Sequence, residues 1–420
     1  MRDVYIIAVG MTRFGKHLEL TEKDLVADAF KKVMKDAPDV KISDIQSVYF
    51  SNTAWGAIRA QNAIKGQVAL RPLGVEGIPI TNVENACACA STAMNCAYKD
   101  VAYGVYDCSL AIGMEKLYHE EKSLILMGFI SGMDTLNLEA SMNTLLGMTE
   151  GLKLDIPKDD LGTVGGTRSP FMDVYASWVR WHMGTYGTTQ HQLAVIASKN
   201  HFHSSMNPNA QFQKNMTVDE ILNGRPVVWP LTVPMCAPIG DGAAAAIVCS
   251  KDFLKKLKSA RPVKILASVL GSGTNRHYND VEQDIAMRLA KQAYEIAGVG
   301  PSDINVAEVH DATSYGELHQ CEMMGFCPIG EGGAFAESGA TKLGGKLPVN
   351  TSGGLISRGH PVGASGLGMI HELVTQLRHE AGPRQVEGCR IALGENGGGV
   401  LAYEEAAMTI HILERMNGKL

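Results

Sequence analysis

Hydrophobic positions near the start of the chain follow strand and helix patterns in turn. Val4–Gly10 is a short apolar run that predicts a buried strand. Leu25–Lys35 has apolar residues at helical spacing and predicts an amphipathic helix, and Ser43–Phe50 gives a turn that leads into a second strand. Strands that alternate with helices predict an α/β fold with right-handed crossovers on mainly parallel, mixed sheets.

The same order of elements occurs again later in the chain. Val263–Val269 predicts a strand, Asp284–Ile296 a helix, and Ser302–Val309 a turn and strand, so that Ser-Asp-Ile occurs at the same place in both units. Cys108–Gly113 and Cys389–Gly394 agree as well, because each is a buried strand after a helix of small residues. Two matches in the same order predict two duplicated α/β halves.

A long segment of different composition interrupts the first half. It is rich in methionine and glycine, and such a long insertion is typical of a lid or binding subdomain. We interpret its methionines first as packing residues, with a soft surface for an acyl group as the alternative. The predicted boundaries are 1–118 and 190–258 for the N-terminal half, 119–189 for the inserted loop domain, and 259–420 for the C-terminal half.

Composition and charge exclude several classes of protein. The 420 residues carry a net charge of −6 without a basic stripe, so a nucleic-acid partner is not expected. No apolar run reaches transmembrane length, and nine cysteines in apolar contexts predict reduced thiols in the cytoplasm. Gly418–Leu420 faintly resembles a peroxisomal signal, an alternative that its glycine disfavours.

Four segments carry residues suited to chemistry. Cys87 lies where a predicted strand ends and a helix of small residues begins, and the positive end of a helix favours a thiolate. Taken alone, this residue is equally well explained as a buried, inert cysteine. His310 ends a strand of the second half, where α/β proteins bind ligands. His360 lies in the glycine-rich loop Asn350–Gly366, and Gly394–Gly399 follows the last predicted strand.

Together these segments resemble the thiolase superfamily. The likeness is strongest to the sterol-carrier-protein-type branch and its archaeal and bacterial acetyl-CoA acetyltransferase-like relatives, with benzoylsuccinyl-CoA thiolase as one candidate subgroup. It runs from Gly10–Gly15 to Gly397–Gly399, and Gly359–Gly366 is its most specific block. β-Ketoacyl synthases usually carry threonine where this chain has Pro361. The resemblance implies the thiolase fold, with two halves in α-β-α-β-α layers.

The resemblance also assigns roles to the candidate residues by position. Cys87 would be the nucleophile that carries the acyl group, and His360 the base that activates it. His310 would hydrogen-bond the thioester oxygen and stabilise an enolate. The N–H of Cys87, with that of Gly397 or Gly398, would form a second oxyanion hole. Asn350 and Ser352 would shape the loop that carries His360, and Asp311 would orient its neighbours.

Departures from the family pattern leave the second acid/base open. The family supplies a cysteine either after its His-Asp pair or before its last glycines, and this chain has Ala312 and Glu395-Asn396 at those places. Its usual Cys-x-Ser is here Cys87-Ala-Cys89. The missing acid/base is then Cys89, Glu395 or a group on a partner, and we favour Glu395 because its turn should face the substrate.

The activity implied is cleavage of a 3-oxoacyl-CoA by free CoA through an acyl-cysteine, in the degradative direction and on an aromatic or branched acyl group. A condensing synthase of the same superfamily and a non-catalytic acyl-CoA-binding subunit are the alternatives; relatives with an aldolase role lack the nucleophilic cysteine. The resemblance implies CoA as substrate, no prosthetic group or metal, a homodimer, and a small zinc-ribbon and OB-fold partner subunit. CoA contacts are expected in the insertion and also around Arg168–Ser169 and His201–Ser205.

Overall fold

The computed structural model describes residues 1–157 and 168–416. Nine strands of these residues form one mixed sheet, and two more form a small hairpin. In chain order the strands are β1 Val4–Met11, β2 Ser47–Ser51, β3 Ile80–Val83, β4 Cys108–Lys116, β5 Pro226–Val228, β6 Leu231–Thr232, β7 Asp241–Ser250, β8 Val263–Ser272, β9 Val306–Glu308, β10 Ile391–Leu401 and β11 Glu404–Arg415.

The helices begin and end where the sequence supplies caps and breaks. Thr21 precedes the first helix, and its hydroxyl accepts from the N–H of Asp24 while the Asp24 carboxylate accepts from the N–H of Thr21. In chain order the helices are α1 Glu22–Asp36, α2 Trp55–Arg59, α3 Lys65–Leu70, α4 Cys89–Ala102, α5 Lys122–Ile130, α6 Leu138–Gly147, α7 Pro170–Tyr186, α8 Gln190–Ser205, α9 Val218–Leu222, α10 Lys251–Leu254, α11 Ile285–Ala297, α12 Ser314–Met323, α13 Gly332–Glu337, α14 Gly354–Arg358 and α15 Ser365–Leu377.

The order of strands in the large sheet agrees with the predicted duplication. The sheet runs β3-β2-β4-β7-β1-β8-β11-β10-β9, so β2-β4-β7-β1 of the first half corresponds to β9-β10-β11-β8 of the second. The halves meet where β1 pairs with β8, with Val4 opposite Ile265. The two halves therefore share one continuous sheet in the described chain.

The strand pairing differs from the mainly parallel arrangement that we predicted. Three pairs are parallel, β2 with β3, β2 with β4, and β9 with β10. Five are antiparallel, including β10 with β11 and β4 with β7. The short connection of β10 to β11 forces an antiparallel hairpin, because a parallel pair needs a long crossover. The fold is nevertheless α/β with helices on both faces of a mixed sheet.

Helices α4 and α15 lie between the two halves of the sheet. Small residues of α4, such as Ala93 and Ala97, pack there against Leu367 and Ile370 of α15. On β1, Val4 and Ile6 face this central core, while Tyr5 and Ile7 face the other side, where α1 packs. Helix α11 covers the second half in the same way. This produces the expected α-β-α-β-α layers.

The predicted insertion contains helices α5 to α7, and residues 158–167 of it lie outside the described part of the chain. Buried Met133, Met142 and Met148 share an apolar core with α7, α8 and the β5–β6 hairpin, which supports their interpretation as packing residues. The boundaries at 118/119, 189/190 and 258/259 stay predictions. Residues 418–420 also lie outside the described chain, and none of the helices described has the length and apolar character needed to span a membrane.

Candidate active site

Cys87 lies in a tight turn between β3 and α4. The turn, Ala86–Ala88, is a single 3₁₀ turn, and Ala86 has a φ of +47°, a left-handed conformation that residues with a side chain rarely adopt. Such strain persists where the surroundings hold the backbone in place, which is common at functional sites. The turn leaves the Cys87 thiol half-buried in the wall of a large cavity.

His360 is placed to act as a base toward this thiol. Its Nε2 lies 3.3 Å from Cys87 Sγ, and its Nδ1 lies 2.7 Å from Ser365 Oγ. The Ser365 hydroxyl donates to the carbonyl of Pro361 at 3.0 Å, so its oxygen accepts from Nδ1–H. Nε2 then carries a lone pair toward the thiol. Burial lowers the pKa of His360 well below its usual value, so the imidazole is neutral.

The Cys87 thiol is also neutral at rest. Burial raises its pKa to about 12, and the carboxylate of Glu115 adds to this effect. The N–H groups of Gly399 and Cys87 lower this pKa, in the direction predicted for the start of a helix, but burial raises it by more. Activation of the thiol consequently requires a proton acceptor, and His360 supplies one at hydrogen-bond distance.

His310, directly after β9, has the opposite arrangement. Its Nδ1 lies 2.9 Å from the side-chain amide of Asn396. Asn396 Nδ2 also donates to the carbonyl of Gly397 at 3.4 Å, which directs the amide nitrogen rather than the oxygen toward His310. Its Oδ1 lies 2.8 Å from the hydroxyl of Ser91, which also reaches the carbonyl of Ala88 at 2.9 Å. The ring proton of His310 therefore resides on Nε2. Burial lowers the pKa of His310 to about 4, and a neutral N–H donor suits a developing oxyanion.

Gly399 supplies a further N–H beside the sulfur. It lies on β10 between Gly398, which pairs with Ala407, and Val400, which pairs with Glu405, and it has a φ of +66°, a left-handed conformation that favours glycine. Its N–H hydrogen-bonds Cys87 Sγ and lowers the thiol pKa slightly against the larger effect of burial. The N–H at the sulfur thus belongs to Gly399, one residue beyond the predicted Gly397 and Gly398.

Gly398 has a different part in the same site. A Cβ there would lie 2.4 Å from the backbone N of Ala88 and 2.9 Å from that of Cys87. Only glycine allows this close approach of β10 to the turn that carries the nucleophile.

Glu395 is buried next to His310 but does not face the cavity. Its Oε2 accepts from the N–H of His310 at 2.9 Å, and burial raises the pKa of this carboxyl well above its usual value. Cys89 is buried too, with its Sγ 3.5 Å from Thr53 Oγ1, and burial raises its pKa. Neither residue is among those that line the cavity. The structure therefore brings both close to Cys87, His310 and His360, the catalytic trio, but neither side chain lines the cavity that these three residues face.

Asn350, Ser352 and Asp311 connect the end of β9 to the loop that carries His360. Asn350 Oδ1 accepts from the N–H of Val309 at 2.9 Å, and the Ser352 hydroxyl donates to Glu308 at 2.5 Å. Asp311 accepts from a backbone N–H of α14 at 2.6 Å. These bonds hold the two histidines in a fixed relation, with ring centres 5.4 Å apart and planes at 85°.

The cavity around the trio holds about 1510 Å³, including its open mouth. Its walls are mainly apolar and aromatic, from α5 and α7, with Phe129, Phe171 and Tyr175 prominent. Lys16 and Lys122 contribute cationic groups to the same cavity. This combination suits a bulky acyl group with an anionic portion.

The residues expected to contact CoA are only partly at this cavity. Ser169 lines it, next to Arg168, which is bound to Asp173. His201 lines a separate apolar groove instead, and His203 is buried against the carbonyl of Asn350. The segment His201–Ser205 therefore supports the loop before His360 rather than the cavity wall.

A metal ion is also sterically compatible with the trio. Cys87, His310 and His360 each place one ligand atom within 4.8 Å of the others. Thiolate and imidazole are ligands that zinc prefers. An ion bound there would engage the sulfur lone pair with which Cys87 attacks a substrate, so a metal-bound state would be catalytically inactive.

Comparison with known families matches two domains in succession. Residues 4–252 match the thiolase N-terminal domain, and residues 273–415 match the thiolase C-terminal domain-like family. The chain is 35% identical over 418 residues to an acetyl-CoA acetyltransferase of Methanothermobacter thermautotrophicus, covering 99% of this chain and 100% of that one. It is 37% identical over 406 residues to sterol carrier protein 2 of Rattus norvegicus, covering 94% and 70%. It is 35% identical over 405 residues to the benzoylsuccinyl-CoA thiolase subunit BbsB of Thauera aromatica, covering 95% of each.

Solved structures have the same fold. The Ltp2-ChsH2(DUF35) aldolase matches with a TM-score of 0.76 and 24% identity over 98% of both chains. Human mitochondrial 3-ketoacyl-CoA thiolase matches with a TM-score of 0.66 and 16% identity over 99% of both chains. At these identities the structures establish the fold, and the family matches and relatives establish the kinship. The chain belongs to the thiolase family and is an acyl-CoA acyltransferase of the thiolase type.

Proposed function

We propose that this chain cleaves a 3-oxoacyl-CoA with free CoA, through an acyl group carried on Cys87. The observation that carries the proposal is the neutral pair of Cys87 Sγ and His360 Nε2 at 3.3 Å, with His310 beside it in the same cavity. A thiol, a base and a separate oxyanion donor are the groups that thioester exchange with carbon–carbon cleavage requires.

In the first half-reaction, the Cys87 thiol gives its proton to His360 Nε2 as the sulfur attacks the 3-oxo carbon. The bond between C2 and C3 then breaks and leaves the acyl group on sulfur. The electron pair passes into the thioester of the leaving fragment as an enolate. His310 Nε2–H donates to the enolate oxygen, because Asn396 holds the other ring nitrogen as an acceptor.

In the second half-reaction, the sulfur of free CoA attacks the Cys87 thioester. The N–H groups of Cys87 and Gly399 donate to the oxygen of the tetrahedral intermediate. Cys87 leaves as a thiolate and regains its proton from the His360 imidazolium. We predicted Glu395, Cys89 or a group on a partner as the acid that protonates C2; Glu395 and Cys89 are not among the residues that line the cavity, so a donor that faces the cavity suits this step better.

We propose an aromatic or branched acyl group as substrate and degradation as the direction. The aromatic and apolar walls of α5 and α7 support the first, as does the similarity to a benzoylsuccinyl-CoA thiolase subunit. Lys16 and Lys122 are suited to the phosphates of CoA. A homodimer and a small zinc-ribbon and OB-fold partner remain part of the proposal. The partner is supported by a relative named as a thiolase subunit and by a structural neighbour whose name includes DUF35.

Trapping the acyl-enzyme tests this proposal. The chain is mixed with acetoacetyl-CoA or benzoylsuccinyl-CoA without free CoA, quenched in acid and analysed by peptide mass spectrometry. The expected result is an acyl adduct on Cys87 that disappears when CoA is added. Cys87→Ser should form no thioester adduct and should lose at least about a hundredfold in turnover.

The alternatives give different results in the same assay. A condensing synthase would accumulate the longer product from acyl-CoA and show little cleavage. A non-catalytic binding subunit would bind the substrate without any adduct on Cys87. Absence of the adduct with every 3-oxoacyl-CoA tried, both alone and with the partner subunit, would contradict the proposal.

A further inference from the structure

Glu405 is a second carboxyl group at the cavity of the trio. It is the second residue of β11 and lies opposite Val400, the residue after Gly399, whose N–H hydrogen-bonds Cys87 Sγ. Glu405 is 7% exposed, and it lines the same cavity as Cys87, His310 and His360. Of the acidic side chains in the described chain, Glu405 is the one that lines this cavity.

The neighbouring backbone makes room for this side chain. A Cβ on Gly397 would lie 2.9 Å from Glu405 Cγ and 3.3 Å from its Oε1. A side chain at position 397 would therefore displace the carboxyl group. Gln320 Nε2 donates to Oε1 at 3.3 Å, and no side-chain hydrogen bond from the described residues reaches Oε2. Oε1 is therefore held by Gln320, and Glu405 lines both this cavity and a neighbouring pocket that contains Asp284 and His319.

Tyr175 links Glu405 electrostatically to the nucleophile. This phenol is buried in the cavity wall, and its pKa is raised by burial first, then by the charges of Glu405 and Cys87. Both groups therefore lie close enough to one phenol to influence its ionisation. Glu405, Tyr175 and Cys87 all line the same cavity.

The surroundings of Glu405 favour exchange of a proton near neutral pH. Burial and the negative charge of Asp284 raise the pKa of Glu405 to about 7, while His319 acts to lower it. Glu404 also raises it, and that carboxylate is bound to Arg276. A carboxyl group with such a pKa is protonated often enough to act as an acid and ionised often enough to act as a base.

We propose that Glu405 is the acid/base that protonates C2 of the leaving fragment and then accepts the thiol proton of CoA. This inference rests on the proposed thiolytic function. When the C2–C3 bond breaks, the Glu405 carboxyl gives its proton to C2 and becomes a carboxylate. When CoA attacks the Cys87 thioester, the carboxylate takes the proton from the CoA thiol. His360 returns its proton to the Cys87 thiolate, so both groups regain their starting states.

The test measures deuterium exchange at C2 of an acyl-CoA product in heavy water. Glu405→Gln removes the ionisable group and keeps the shape, so exchange should fall by about a hundredfold or more. Acyl transfer from a simple thioester onto Cys87 should persist in this variant, because that step needs no proton at C2. Glu372→Gln is the matched control, since it changes a buried carboxyl group that is bound to Arg384 and does not line the cavity, and it should retain exchange.

Exchange at the wild-type rate in Glu405→Gln would overturn the proposal, as would an equal loss of exchange in Glu372→Gln. If Glu405→Gln fails to fold, as judged by thermal melting, Glu405→Asp takes its place. The shorter side chain should lose about tenfold in exchange with acyl transfer intact, and unchanged exchange there would count against the proposal. Absence of acyl-Cys87 in the wild type would instead refute the thiolytic function itself.

Discussion

His310 and His360 face one cavity at a ring-centre distance of 5.4 Å, but different partners hold their far nitrogens. For His360 that partner is the hydroxyl of Ser365, whose proton is already given to a carbonyl. For His310 it is the amide of Asn396, whose nitrogen donates both to the ring and to the carbonyl of Gly397. One imidazole therefore presents a lone pair to the cavity and the other presents an N–H.

This difference explains how two identical side chains perform different chemistry. Burial lowers the pKa of both rings, so neither charge nor exposure distinguishes them. The position of the single ring proton does, and it is set by a contact on the side away from the substrate. Removing either ring, or altering either far partner, should therefore have separable consequences.

The largest effect is expected for His360→Ala. Loss of the base should reduce turnover by about a thousandfold, because the buried Cys87 thiol has a pKa of about 12 and ionises rarely by itself. Alkylation of Cys87 by iodoacetamide at neutral pH should slow as well. Alkylation at the wild-type rate would show that His360 does not activate the thiol.

His310→Ala should reduce carbon–carbon cleavage by about a hundredfold, the usual result of deleting an oxyanion donor. Alkylation of Cys87 should continue at nearly the wild-type rate, since His360 is intact. Equal alkylation rates in the two alanine variants would contradict the division of labour between the histidines.

Asn396→Asp should reverse the tautomer of His310 by replacing a donor with an acceptor. The proton would then reside on Nδ1 and leave Nε2 unable to donate, with a loss in cleavage on the order of tenfold to a hundredfold. Asn396→Ala is the control, because it imposes neither tautomer, and its loss should be smaller. Cleavage in the aspartate variant at or above that of the alanine variant would contradict the assigned tautomer.

Ser365→Ala should remove the acceptor for His360 Nδ1–H, with a loss of about tenfold in kcat and little change in KM, as expected for one hydrogen bond. Ser365→Thr keeps the hydroxyl and should restore most of the rate. If the alanine variant keeps full kcat, the hydroxyl does not position His360.

The smallest expected signal is the thiolate absorbance of Cys87, obtained as the ultraviolet difference between wild type and Cys87→Ala. Because burial raises the pKa of this thiol to about 12, the protonated form dominates below that value. Less than about a tenth of a thiolate per chain is expected at pH 8, with a rise only at alkaline pH. A full thiolate at pH 7 would indicate an ion pair with His360.

The sequence predicts the groups that react better than it predicts the contacts that position them. Cys87, His310 and His360 each lie at a strand end or a helix start within a distinctive motif, and the structure brings all three together. Asn396 is distant from His310 in sequence and meets it only because β9 and β10 are parallel neighbours, with Glu308 opposite Gly394. The internal duplication predicts that β9 and β10 pair, because they correspond to β2 and β4 of the first half. The repeat was therefore the sequence feature that could have indicated the contact between Asn396 and His310.

Other features had no signal in the sequence. The β10–β11 hairpin turns at Ala402, which has a φ of +52°, without the Asn-Gly or Asp-Gly pair that usually marks such a turn. The left-handed conformation of Gly399 depends on that hairpin, and it places the N–H of Gly399 at the Cys87 sulfur. Burial of Cys87 likewise depends on tertiary packing, which reverses the expected direction of its pKa.

Neutron diffraction from a deuterium-exchanged crystal tests the opposite tautomers most directly, because it locates the deuterium on each imidazole ring. The predicted result is deuterium on Nδ1 of His360, directed at Ser365 Oγ, and on Nε2 of His310, directed into the cavity. Cys87 should carry its own deuterium on sulfur. Deuterium on Nε2 of His360, or on Nδ1 of His310, would contradict the account.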